Sequence, residues 1–133
     1  MLFRSEGLPT IAMCPKEIYD GYLDAQYLPI LELQVAALVR SYVSGRQLHD
    51  RMVEFWTDHF NIDGLKDAMW LFLSMDQREV IREHALGNFP DMLRASAHSP
   101  AMMYYLDNWL STRTLPNENY GRELLEQIGR AHV

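Results

Sequence analysis

The sequence predicts an all-α fold, an irregular multi-helix bundle of about six helices. Three observations carry that expectation. Apolar residues recur at spacings of three and four through most of the 133 residues, the period that puts them on one face of a helix. No stretch alternates apolar and polar residues long enough to require a strand. The punctuation between apolar segments is that of helix ends, with Pro, Asn or Ser before and Gly after.

A short helix is expected from Pro15, with Ile18, Tyr19 and Tyr22 on one side. A second begins near Pro29, carries Leu31, Val35, Leu38, Val39 and Tyr42 as its apolar stripe, and stops by Gly45. The third, over 47–61, is the clearest amphipathic pattern, with Leu48, Met52, Phe55, Trp56, His59 and Phe60 facing inward. After the Asp63-Gly64 break a fourth helical region carries Leu65, Met69, Trp70, Leu73 and Met75. It continues through Val80 and Ile81 toward His84 and ends at Gly87. Asn88 then caps a helix whose Phe89, Met92, Leu93 and Ala97 face inward. Ser99 before Pro100 repeats the device for a helix running to Trp109, which buries Met102, Met103, Tyr105 and Leu106. Residues 110–116 read as a surface loop, and Asn117 caps the last helix with Glu118 in its dipole-favoured first turn.

Composition excludes several functions. A net charge of -6 offers no clustered basic face for phosphates, so nucleic acid is not an expected partner. No apolar run is long enough to span a bilayer, because residues 28–43 are interrupted by Glu32, Gln34 and Arg40. The single cysteine, Cys14, has no second thiol for a disulfide or a zinc site. Residues 1–13 lack the continuous apolar core of a secretory signal. There is no phosphate-binding glycine loop and no nucleophile elbow, and His49, His98 and Cys14 have no identifiable partners, so nucleophilic catalysis has no positive support.

Polar chemistry gathers at the end of the chain. Glu118, Arg122 and Glu126 share one face of the last helix, and Asn119, Glu123 and Gln127 a neighbouring one. One reading is a surface ladder of ion pairs. The other is a polar network in which Asn117, Asn119 and Arg122 reach Asp107 and Asn108, since unpaired polar groups in a core cost about 1 to 3 kcal/mol each. His59 lies on an aromatic face and His84 precedes the Gly87 turn. Each reads as a core histidine with one nitrogen satisfied, or as a partner of Glu118 or Glu123 in a mixed nitrogen and oxygen set. Metal sites in helical bundles use Glu-x-x-His pairs, none of which is intact here, so no residue is assigned as a metal ligand and the cofactor stays open. The candidate cluster is therefore His59, His84, Asp107, Asn108, Asn117, Glu118, Asn119, Arg122 and Glu123.

From Leu48 onward the chain resembles the bacterial family catalogued as domain of unknown function 1800. The matching stretches are Arg51-Met52-Val53-Glu54-Phe55-Trp56 with His59-Phe60, then Val80-Ile81-Arg82 leading into His84-Ala85-Leu86-Gly87-Asn88-Phe89. They continue with Ser99-Pro100-Ala101-Met102, Tyr105-Leu106-Asp107-Asn108, Pro116-Asn117-Glu118-Asn119-Tyr120 and Arg122-Glu123-Leu124-Leu125-Glu126. The resemblance implies a mostly helical protein several times longer, often exported, with no established activity. It implies that this chain is a fragment whose partner is unknown, the missing parts of the parent being its expected contacts. Similar members continue after Glu126 into a histidine and Thr-Leu-Gly, whereas this chain ends Gln127-Ile128-Gly129-Arg130-Ala131-His132-Val133. The last six residues match, codon for codon, the translation of a common short-read sequencing adapter. The expected organisation is thus an N-terminal helical segment over 1–46, a family-like core over 47–127 and a non-native tail over 128–133. The functional expectation is a binding or assembly role for an exported parent, with part of a metal-assisted enzyme as the alternative.

Overall fold

The computed structural model describes residues 7–130, with the side chains of Leu124 and of 127–130 outside the description. Residues 131–133 of the expected non-native tail also lie outside it. Every regular element among the described residues is helical. A 3-10 turn at Pro9–Ile11 leads into α1 (Pro15–Tyr22), which begins at its proline. Glu17 accepts the Cys14 backbone N–H at 2.8 Å, closing the first turn. A second 3-10 turn precedes α2 (Tyr27–Val43), and α3 (Gln47–His59) follows after the Gly45 break.

α2 shows where the expected packing differs. Its buried residues are Pro29, Glu32 and Ala36, while Leu31, Leu38, Val39 and Tyr42 of the expected stripe are exposed. The helix is apolar nearly all round, so periodicity does not select a face. The choice is made by partners far along the chain. Glu32 is buried because its Oε2 accepts from the backbone N–H and the hydroxyl of Thr10, at 2.8 and 2.7 Å. Ile30 approaches Gly64 so closely that a Cβ there would sit 3.2 Å from it and 2.6 Å from Leu73. In α3, likewise, Leu48 and Phe55 are exposed, and the inward side is Met52, Val53 and Trp56, with Phe60 just past its end.

The region after Gly64 is less regular than expected. A 3-10 turn at Met69–Leu71 opens it, α4 (Leu73–Asp76) follows, and the chain widens into a π-helical turn over Gln77–Ile81 before α5 (Arg82–His84). Such widened turns occur often at functional sites. α6 (Phe89–His98) and α7 (Pro100–Tyr105) start as their sequences predict: Asn88 Oδ1 accepts from Asp91 N at 3.1 Å, and Ser99 Oγ from Met102 N at 3.0 Å. α7 ends at Tyr105 rather than Trp109, because Asp107 turns into the left-handed region (φ 55°) and a 3-10 turn takes Asn108–Leu110. α8 (Glu118–Arg130) closes the described chain, its helical backbone continuing through Gly129.

The main core joins Val53 and Phe60 to Val80, Ile81, Ala85, Met92 and Met102, with Trp56, Phe89 and Tyr120 packed against it. Trp56 fixes α3 to the α5–α6 turn through its indole N–H, which donates to Ala85 O at 3.2 Å. The N-terminal segment is not a loose appendage. Ile18 is completely buried, α1 packs on the Met69–Leu71 turn, and Arg78 donates to Ile11 O at 2.8 Å.

Candidate functional site

Where α3 ends, the chain passes close to α7 and α8, and a cleft of about 370 Å³ opens between the three helices. Asp58 and His59 reach it from the last turn of α3, Asp107 from the turn after α7, and Asn119, Arg122 and Glu123 from α8. Lys66 and Glu126 complete its rim, and buried Met102 lies at its floor. Four carboxylates therefore face two fixed cations, a formal charge of about -2 from these six groups.

Local chemistry holds each wall. The His59 ring packs edge-on against Trp56 and Phe60, at centroid separations of 5.5 and 5.1 Å, which settles its rotamer before any ligand arrives. Lys66 Nζ donates to Tyr105 O at 2.6 Å and sits 4.8 Å above the Tyr105 ring, so one of the two cations is already engaged. Asn117 is the tie between loop and helix. Its Nδ2 donates to Leu106 O at 3.2 Å and to Asp107 O at 2.8 Å, while its Oδ1 accepts the Asn119 N–H at 2.9 Å as the cap of α8. One side chain thus fixes both the left-handed Asp107 turn and the first turn of α8. Tyr120 seats that turn on the core, where burial pushes its phenol pKa up.

Of the nine residues singled out in the sequence, His59, Asp107, Asn119, Arg122 and Glu123 line this cleft and Asn117 braces it. Asn108 turns away, its amide approaching Met103 Sδ at 3.5 Å. Glu118 lies with Gly121 and Leu125 on a shallow surface along α8. His84 stays on α5 and is not among the cleft residues. Among the described residues, the expected network crosses between segments through Asn117, whereas Arg122 donates within its own helix, to Asn119 Oδ1 at 3.3 Å. Among the described residues no three His, Cys, Asp or Glu side chains converge closely enough to hold a metal ion. Sequence reasoning missed Asp58 and Lys66, although Asp58 adjoins the histidine that drew attention.

His49 has a partner that the sequence did not reveal: its Nε2 lies 2.9 Å from Arg82 O, while its buried Nδ1, 3.8 Å from Asp50 Oδ1, makes no hydrogen bond among the described residues.

The family model described as a protein of unknown function (DUF1800) matches residues 11–127. The chain belongs to the DUF1800 family. The match reaches back past Leu48, so in this family member the stretch 11–46 falls within the family region together with the helices that build the cleft. No curated protein and no solved structure matches it. No helix of this DUF1800 chain, among the described residues, is long and apolar enough to cross a membrane.

Proposed function

We propose that this chain is a binding domain, and that the cleft between α3, α7 and α8 takes a small cationic ligand rich in hydrogen-bond donors. The excess of carboxylates around a 370 Å³ opening carries the reading. Asp58, Asp107, Glu123 and Glu126 supply acceptors that the single engaged lysine and Arg122 do not exhaust. The left-handed backbone at Asp107 adds support, because strain of this kind clusters at ligand clamps. A metal-assisted enzyme built on His59, His84, Glu118 and Glu123 has less in its favour, since His84 and Glu118 lie away from the cleft.

Assembly belongs to the same reading. Tyr27, Leu31, Leu38 and Tyr42 form an exposed apolar row on α2, and further helices of an exported parent are its proposed cover. An amine such as 1,4-diaminobutane is the probe for the cleft. Calorimetric titration should show binding that weakens about tenfold in Glu123→Gln, the loss of one charge-assisted hydrogen bond. Glu118→Gln, outside the cleft, should change nothing. Equal affinity in wild type and Glu123→Gln, or no binding at all, rejects the proposal.

A further inference from the structure

A second cleft, of about 360 Å³, lies between α2 and α3, within the size range of small-molecule sites. Its surface is mostly apolar, with Leu33 and Ala37 on one side and Val53 on the other. Three arginines and three carboxylates also line it, so its formal charge cancels. Much of that charge is paired in place: Arg82 Nη2 donates to Asp50 Oδ1 at 2.9 Å, and Arg51 Nη1 to Glu54 Oε2 at 2.7 Å. An ion entering this cleft would give up its hydration for groups that are already neutralised, whereas an uncharged ligand pays no such cost.

One neutral polar side chain in the cleft is not used by the fold. Ser41, Gln47 and Thr57 each donate to a backbone carbonyl, and Gln34 is exposed. Gln77 differs from all of these. It lines the cleft and is nine-tenths buried, yet its carboxamide makes no hydrogen bond with another described residue. Nor is the amide sealed into dry core. Among the described residues, the side-chain atoms that are both sealed from solvent and unpaired belong to His49, Ser74 and Asp76, so the Gln77 amide meets open space, and the cleft is the space that it lines. Gln77 also opens the π-helical turn, in which the Arg82 N–H donates to Gln77 O five residues back. Both ends of that widened turn reach the cleft.

We propose that this cleft binds a small neutral molecule with an amide head and an apolar body, the head pairing with the Gln77 carboxamide and the body lying along Leu33, Ala37 and Val53. An amide presents a donor and an acceptor in one plane, the complement of a glutamine side chain, and the apolar walls remove the body from water. Binding here is independent of the ligand proposed for the acidic cleft.

Hexanamide, hexanoate and hexylamine, matched in length, are titrated into the whole chain and followed by NMR shift mapping. Hexanamide should shift resonances of α2, α3 and the π-helical turn, and should bind at least about tenfold more tightly than either ion. Gln77→Leu exchanges an unpaired amide for an apolar side chain of similar size. It should therefore be at least as stable as wild type and lose about tenfold in hexanamide affinity. Ala37→Phe fills the apolar wall from an exposed position, so it should abolish hexanamide binding while the circular dichroism spectrum is unchanged. Binding of either ion as tight as that of hexanamide overturns the proposal, as does undiminished hexanamide binding in either variant or no hexanamide binding at all. A Gln77→Leu protein less stable than wild type overturns it too, because the amide would then be serving the fold.

Discussion

Asp76 gives this protein a pH dependence of stability opposite to that of a surface carboxylate. It is 8% exposed, and its Oδ1 has no hydrogen-bond partner among the described residues. Burial pushes its pKa from 3.8 up to about 6, against the hydrogen bond from Ser99 that favours the charged form. Because the folded state holds this proton more tightly than the unfolded chain, the contribution is fully present below about pH 4 and is lost as pH rises through about 6. At roughly 1.4 kcal/mol per pKa unit, the loss amounts to about 3 kcal/mol. Asp76→Asn removes the titration. Urea unfolding of both proteins from about pH 4 to pH 7.5, followed by tryptophan fluorescence, isolates the effect, because all other titrating groups are common to the two and cancel in the difference. The variant should gain about 3 kcal/mol on wild type across that range, equivalent to roughly 10 °C in Tm. The fixed cost of exchanging an oxygen for an amide shifts the difference curve without changing its slope. Parallel stability profiles would show that the carboxyl is solvated in the folded protein and would refute the reasoning.

Two further substitutions test how the fold and the cleft are supported. Glu32→Ala leaves the Thr10 N–H and hydroxyl buried without an acceptor, so it should cost about 2 to 4 kcal/mol. Amide exchange around Thr10 should accelerate before that of α6, and Glu32→Gln, which keeps an acceptor, should cost less. Asn117→Ala removes the α8 cap and both bonds to the α7 turn, a loss of about 1 to 2 kcal/mol. Exchange should quicken in the first turn of α8 and diamine affinity should fall, with α3 and α6 unaffected.

What the sequence revealed is what local chemistry decides. Pro15, Asn88, Ser99 and Asn117 mark helix starts because a fixed φ or a side-chain oxygen acts within one turn, and all four begin helices in the structure. Faces were legible only where the helix had one polar side. α2 has none, and its orientation is set by Thr10, 22 residues earlier, and by the glycine that admits Ile30. The same distinction divides the sites. His59, Asp107, Asn119, Arg122 and Glu123 drew attention by type and clustering, whereas the Arg82 and Asp50 pairing spans 32 residues and leaves no local trace. The end of α7 was hidden for a related reason. Asp107 adopts a left-handed backbone that glycine normally takes, so the sequence carried no stop signal there.

These observations make α3 the element on which the proposed α8 cleft depends, with Asp58 and His59 reaching it from the last turn. The helix is held by Val53 in the core, by the Trp56 bond to Ala85 O and by the aromatic packing of Phe60 and Phe89. Its rotation about its own axis is therefore restricted from the core side. A rotation large enough to admit a bulkier ligand would break the Trp56 bond and shift Asp58 relative to the α8 rim. The selectivity proposed for the cleft rests on that rim, where Asp58 of α3 stands with Asp107, Glu123 and Glu126.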